Sequence, residues 1–339
     1  MTKEKIGVGM IGLGSISFSH EAGYADNGEA CQIVAMCDVH EEEAVNRAGM
    51  YGAKTYMRYQ DLLDDPAVGM VDITTPHDSH YEIAMTALKK GKHVFVEKPI
   101  AVRSAQGREM VETAKKAGLI LGVAENTRFV DAYLAVEKLL KEGILGDILL
   151  VRTMIGGSEA YHLKDPDAWH GLAPYGGVIL DSTVHNFYLF KWLFGGVKEV
   201  QGFAWKLLPE KEMEDNGLIL GKLANGAEFQ LFTSCTAEIP WMERVEIYGT
   251  RAGVIIDQLA NPVVKYYLGS QDIDGNVVEG VPFDPLGWKF TSMVAEVKEF
   301  VAAVRENRPP AVDPADTVYA VEIVEAVERS IQQKQPVKV

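Results

Sequence analysis

VGMIGLGSIS, Val8 to Ser17, is the stretch on which the fold turns. The apolar run that begins at Ile6 stops at Gly12, and Gly12-x-Gly14-x-x-Ser17 follows it. An apolar run ending in spaced glycines reads as a buried strand, a tight turn and the start of a helix. The first glycine permits the turn and the second lets the backbone approach a pyrophosphate. The third position needs a small residue for helix–strand packing, and Ser17 fills it here. Ser15 and Ile16 stand where that helix opens, and its unpaired N–H groups and positive dipole end favour phosphate. Asp38 ends the second apolar run. A carboxylate in that place binds the adenosine ribose hydroxyls and repels a 2′-phosphate. No Arg or Lys follows it directly, since Val39 and His40 come next, so NAD is expected over NADP. Asp38 also fits a helix N-cap, with Glu41 three residues on.

Working outward, the first third alternates apolar runs with helix-period segments. The runs are Ile6 to Ile11, Gln32 to Cys37, Met70 to Ile73, His93 to Val96 and Leu119 to Val123. Between them lie Ser17 to Tyr24, Glu41 to Tyr51, His80 to Lys90 and Ser104 to Ala117. Such alternation predicts βαβ units and a parallel sheet, an α/β Rossmann domain over residues 1–125. Continuous rather than alternating apolar strands agree with a sheet covered on both faces. Beyond that point strand-like segments follow one another directly: Ile148 to Ile155, Glu199 to Trp205, Glu228 to Thr233, Arg244 to Tyr248 and Val263 to Leu268. Turn signals such as Asn225-Gly226 and Asp274-Gly275 join several of them. They predict an α+β domain over 126–339 with a large, mostly antiparallel open sheet, serving substrate binding and oligomerisation. Two closing helices, Met293 to Arg305 and Pro314 to Gln332, are candidates to pack back on the first domain.

Bulk properties narrow the partners. The chain has 339 residues and a formal net charge of -15. That acidity disfavours nucleic acid and anionic membranes. No stretch approaches the roughly 20 apolar residues of a membrane span, and the N-terminus lacks the pattern of a signal peptide. Three cysteines without a CxxC pair fit a reducing compartment, so the cytoplasm is expected.

HVFVEKPIA, His93 to Ala101, leaves a buried strand on two opposite charges and a proline. Together with Val71-Asp72-Ile73-Thr74-Thr75-Pro76, His80 and Gly91-Lys92-His93-Val94, it resembles the Gfo/Idh/MocA family of sugar and polyol dehydrogenases. Gly176-Gly177-Val178-Ile179-Leu180-Asp181-Ser182-Thr183-Val184-His185 resembles that family's Gly-rich Asp-x-x-x-His segment. Phe300 to Val304 with Arg308-Pro309-Pro310 also matches, so the resemblance spans essentially the whole chain. It implies that Glu97 lines the cofactor pocket, that a cis peptide precedes Pro99, and that the subunits form dimers or tetramers through the second sheet. The chain departs from the pattern at Thr183, where glycine is usual, at Tyr188, where aspartate is usual, and at Asn186. Those departures point to a pocket of altered polarity.

The residues make chemical sense by themselves. Asp181 and His185 are spaced i, i+4 and share one helix face. An imidazole can take a hydroxyl proton near neutral pH, and the carboxylate can orient it or bind substrate. Lys98, just beyond the C-terminal end of a parallel strand, sits where open α/β sheets put their ligands. Its ammonium can stabilise a developing alkoxide. Thr74, Thr75, Pro76, His80 and Asn126 are further cofactor candidates, and Arg128 is a substrate candidate. The loop from Gly156 to Gly177 offers Tyr161, Trp169 and His170, whose rings suit a sugar face or could pack the loop on the sheet. His77 and His80 have no third ligand near in sequence, so no metal is expected.

The expected activity is NAD-dependent oxidation of a secondary hydroxyl of a sugar, cyclitol or glycoside, or reduction of the ketone, with Lys98 and His185 handling the proton. Three rivals stay open: an imine, biliverdin or dihydrodiol type of reduction; a glycoside 3-oxidoreductase that recycles tightly bound NAD; and a non-catalytic NAD-binding sensor.

Overall fold

The computed structural model describes residues 4–158, 169–283 and 289–339. The described chain divides into two compact units. Residues up to Asn126 form the first together with Phe290–Val318, and Thr127–Lys289 with Tyr319–Val339 form the second.

The first unit is a six-stranded, wholly parallel sheet in the order β3-β2-β1-β4-β5-β6. The strands are β1 (Ile6–Ile11), β2 (Cys31–Cys37), β3 (Lys54–Tyr56), β4 (Met70–Ile73), β5 (His93–Glu97) and β6 (Leu121–Ala124). The helices between them are α1 (Ser17–Asp26), α2 (Glu41–Tyr51), α3 (Tyr59–Leu63), α4 (His80–Lys89) and α5 (Ser104–Ala117). Strand order reverses between β1 and β4, the switch point at which such sheets take their ligand. Val8, Met10, Met36, Met70 and Phe95 build the core with Val297, Phe300 and Val301 from the far end of the chain. The last three come from helix α8 (Lys289–Glu306). Phe95 and Phe300 stack at 4.6 Å between centroids. A Cβ on Gly122 would stand 2.4 Å from Phe300 Cδ2, so glycine is what admits that ring.

The second unit opens with α6 (Asp131–Lys141) and carries α7 (Val178–Phe194) and most of α9 (Pro314–Gln333). Its nine-stranded sheet has the order β14-β13-β12-β11-β7-β10-β9-β8-β15. The strands are β7 (Ile148–Gly156), β8 (Val197–Trp205), β9 (Asn216–Leu223), β10 (Glu228–Ser234), β11 (Met242–Gly249), β12 (Gly253–Asp257), β13 (Val264–Tyr267), β14 (Asn276–Val277) and β15 (Val337–Lys338). Every pairing is antiparallel except β7 with β10. One face is dry: the row Ile219, Leu231, Thr153, Val245, Ile256 is buried throughout. The row on the other face reads Phe203, Leu218, Phe232, Met154, Arg244, Asp257, and Phe203 is exposed.

Strand β9 is one the apolar pattern does not announce, because Gly217 and Gly221 interrupt it. Both glycines are forced. A Cβ at Gly221 would lie 2.1 Å from Glu199 O, and one at Gly217 would lie 2.9 Å from Ile179 Cγ1 of α7. The close approaches that build the sheet there also erase its sequence signal.

Candidate active site

The glycine turn after β1 is held by its backbone. Gly12 N–H donates to Cys37 O (2.9 Å) and Leu13 N–H to Asp38 Oδ2 (2.7 Å). Thr74 Oγ1 donates to Gly12 O at 2.6 Å. Gly12 has φ +87°, and a Cβ on it would press within 2.7 Å of Thr75 Cγ2. Gly14 is different: a Cβ there would meet nothing within 4 Å. Open space in front of the second glycine, at the start of a helix with no side-chain cap, is the cradle that a pyrophosphate requires. Ser15 is exposed and Ile16 half-buried beside it. Buried Arg47 donates to Leu13 O (2.6 Å) and Ser17 Oγ (2.8 Å) and pairs with Glu21. Sequence reasoning missed Arg47, whose signal was only an arginine in the middle of an amphipathic helix.

Asp38 stands at the end of β2, half-buried, and its other oxygen accepts the His40 N–H at 2.9 Å. Its carboxylate therefore organises the turn and the loop where a ribose would lie. Thr74 is buried; Thr75 and Pro76 are half-exposed beside the turn.

Lys98 is a half-exposed lysine within a buried run. Val94 to Glu97 precede it and Pro99, Ile100 and Ala101 follow it, all buried. The Lys98–Pro99 peptide is cis. The two neighbours predicted to touch the cofactor serve this turn from behind. Fully buried His80 has Nδ1 2.8 Å from Pro99 O and Nε2 2.8 Å from Thr75 O. Burial holds its imidazole below the ordinary value, against the pull of those carbonyls. Glu97 Oε2 accepts the Lys98 N–H at 2.9 Å, and Oε1 lies 3.0 Å from His20 Nε2. Burial would raise the Glu97 carboxyl, but the hydrogen bond and charge of His20 prevail and hold it below its usual range. Asn126 spends its amide on Ser292 Oγ at 2.9 Å.

In the second unit, α7 is buried on nearly every side. From Val178 to Phe190 only Asp181 and His185 are half-exposed, and both are polar. The spacing read from the sequence thus becomes one accessible face. Thr127 Oγ1 lies 3.4 Å from His185 Nδ1, a neighbour that sequence reasoning did not name. The start of α7 explains its glycines. Gly176 has φ +84°, and a Cβ on Gly177 would stand 2.2 Å from Glu214 Oε1. That carboxyl accepts the Ile179 N–H at 3.2 Å and closes the helix end. Burial raises its proton affinity, the backbone bonds oppose this, and Glu328 and Asp215 add to it.

The departures from the motif lie on the buried side of α7: Thr183 donates to Ile179 O at 2.5 Å, and Asn186 and Tyr188 are buried. The Arg128 guanidinium lies over the Trp192 ring, 4.2 Å from its centroid. Trp169 and His170 are half-buried and stacked, with centroids 3.7 Å apart. Tyr161 lies outside the described residues. Among the described residues no group of three or more His, Cys, Asp or Glu side chains is arranged to hold a metal ion.

Two family models match: the oxidoreductase family, NAD-binding Rossmann fold, over residues 6–125, and the GFO/IDH/MocA C-terminal domain over residues 133–255. The chain belongs to the Gfo/Idh/MocA oxidoreductase family. Myo-inositol 2-dehydrogenase of Thermotoga maritima is 25% identical over 337 residues, 98% of each chain. Trans-1,2-dihydrobenzene-1,2-diol dehydrogenase of Bos taurus is 31% identical over 209 residues, 62% of this chain and 60% of that one. Levoglucosan dehydrogenase, solved in complex with NADH and levoglucosan, superposes with a TM-score of 0.90 at 22% identity, covering 99% of this chain and 100% of that one. That likeness shows a shared fold over nearly the whole chain. The protein is thus an oxidoreductase with an NAD-binding Rossmann domain, and among its described residues no helix is long and apolar enough to cross a membrane.

Proposed function

We propose that the protein oxidises a secondary hydroxyl of a sugar, cyclitol or glycoside with NAD, or reduces the corresponding ketone. The observation that carries this reading is the pair Asp181 and His185, the polar and accessible positions on a helix turn otherwise buried. A core helix bears the cost of two titratable groups on one face where a polar ligand meets them. The chemistry supplied by the bound cofactor is hydride exchange at C4 of its nicotinamide. His185 removes the hydroxyl proton, and Asp181 orients the imidazole or binds a neighbouring hydroxyl. The Lys98 ammonium donates to the same oxygen and stabilises charge that grows on it. Arg128, Tyr161, Trp169 and His170 contribute to holding the sugar. Gly12, Gly14, Ser15, Ile16 and Asp38 hold the dinucleotide, with Thr74, Thr75, Pro76, His80, Glu97 and Asn126 supporting them.

NAD is preferred over NADP because the Asp38 carboxylate would face a 2′-phosphate, and buried Arg47 is already committed to Leu13 O, Ser17 Oγ and Glu21. Three buried free cysteines agree with a reducing compartment, the cytoplasm. The exposed sheet face carries Phe203, Trp205 and Leu220 next to the ion pairs Arg152–Glu246 and Arg244–Asp257. A face that bears an apolar patch and both charges is self-complementary, and a second copy of this chain is its partner, giving a homodimer or homotetramer.

The test is a reduction screen with NAD and with NADP against inositols, aldoses and glycosides. NADH formation with at least one hydroxyl compound is expected. Tight NAD binding with no turnover across the panel would instead make the protein a sensor.

A further inference from the structure

Asp72 lies in the middle of β4 and is fully buried. A carboxylate there is costly unless it is paired. Its Oδ2 meets His20 Nδ1 at 2.8 Å, and the other nitrogen of the same ring meets Glu97 Oε1 at 3.0 Å. His20 itself is fully buried, one turn into α1. An imidazole between two carboxylate oxygens satisfies both contacts when both ring nitrogens carry protons, or when one carboxyl keeps its own. Either way a shared proton ties three elements together: α1, β4 and the end of β5. Glu97 then passes the restraint on, because its second oxygen accepts the Lys98 N–H at 2.9 Å. A further carboxyl, Glu296 of α8, is buried with neither oxygen hydrogen-bonded, and the charges of His20, Glu97 and Asp72 act on it.

Replacing such a buried charge cluster by apolar residues is often neutral or stabilising, so stability alone does not account for it. What hangs from the cluster is the one accessible residue of the turn. We propose that His20 is a positioning residue for Lys98: by bridging Asp72 and Glu97 it fixes the Glu97 carboxylate, and through it the backbone from which the Lys98 side chain projects. This rests on the reading of Lys98 as the group that polarises the reacting oxygen.

The test uses the full chain. His20→Asn places an amide near the ring's Nδ1, keeping a partner for Asp72 and losing Glu97. His20→Gln reaches toward Glu97 instead. In the protein without added ligand, amide hydrogen exchange at Lys98 should quicken by about tenfold in His20→Asn and recover in His20→Gln, while exchange elsewhere in β5 stays put. With the substrate returned by the screen, kcat should fall by about 100-fold in His20→Asn, the scale of a misplaced catalytic group. The NADH Kd, read by fluorescence, should hold within about threefold, roughly 0.65 kcal/mol. In a Lys98→Ala background the same substitution should change nothing further. Should His20→Asn fail to fold, Glu97→Met, which leaves the His20–Asp72 pair, must give the same selective quickening. Unchanged Lys98 exchange, or losses that multiply in the Lys98→Ala background, overturns the positioning role. Full turnover in Lys98→Ala alone would instead remove the catalytic reading beneath it.

Discussion

The glycine turn of the first unit and helix α7 of the second are built from different materials. The turn is made of backbone. Gly12 needs φ +87° and the space in front of Gly14 needs a missing side chain, so few sequences can build it. Helix α7 presents its chemistry through side chains, Asp181 and His185, on a scaffold that any well-packed helix could supply. A side-chain site can be altered at one position without disturbing the fold, so on the proposed reading substrate choice belongs there.

That contrast breaks most readily at the chemistry. His185→Ala should lower kcat by about 10²- to 10⁴-fold, the usual worth of a general base, with the NAD dissociation constant unchanged. A loss of NAD affinity equal to the loss of kcat would show that the two halves do not divide the work as argued. The converse variant is Gly14→Val. It fills the open space before the turn and should weaken NAD binding by about tenfold or more, roughly 1.4 kcal/mol, with Tm little changed because a Cβ there meets no protein atom within 4 Å. Unaltered NAD affinity would place the dinucleotide elsewhere. A smaller effect is expected at Glu214→Ala, which removes the acceptor for the Ile179 N–H at the start of α7. The cost of losing such a cap is about 1 kcal/mol. Differential scanning calorimetry should show it as a Tm drop of a few degrees, and no drop would mean that the helix end is held by other groups.

The same contrast explains what the sequence could reveal. The parallel sheet, its glycine turn and the Glu41–Tyr51 and Ser104–Ala117 helices are legible because strands buried on both faces and helices with one apolar face leave strong periodic patterns. Strand β9 is hidden by the glycines that its neighbours require. In the candidate site, residue type and chain geometry coincide at the positive φ of Gly12, the open space before Gly14 and the accessibility of Lys98, Asp181 and His185 amid buried neighbours. The roles of Glu97 and His80 are not legible, because each turns toward partners distant in sequence: Glu97 to His20 and His80 to Pro99 O. One clue was available. An aspartate inside the apolar run Val71-Asp72-Ile73 demands a buried partner, and that demand leads to His20. Thr127 beside His185 left no such clue, since a threonine at a strand's exit is unremarkable until the fold brings it 3.4 Å from the ring.

The subtlest expected effect concerns Glu296. Burial raises its proton affinity well above the ordinary value; the nearby His20 lowers it, and Glu97, Glu125 and Asp72 raise it further. The folded protein therefore keeps this carboxyl neutral where the unfolded chain would ionise it. Below the ordinary value of 4.5 both states hold the proton, and the group's contribution to stability is fully present. As pH rises from there toward the folded value, the unfolded chain releases its proton while the folded protein does not, and that contribution is progressively lost. Glu296→Gln has no proton to release and escapes the loss. Its Tm should match that of the parent near pH 4.5 and exceed it by a few degrees at pH 8, at about 2–4 °C per kcal/mol for domains of 150–250 residues. The backbone-built turn should keep its NAD affinity in this variant. A Tm difference that stays flat from acid to neutral pH would mean that Glu296 ionises in the folded protein, with a charged partner supplied by the cluster around His20.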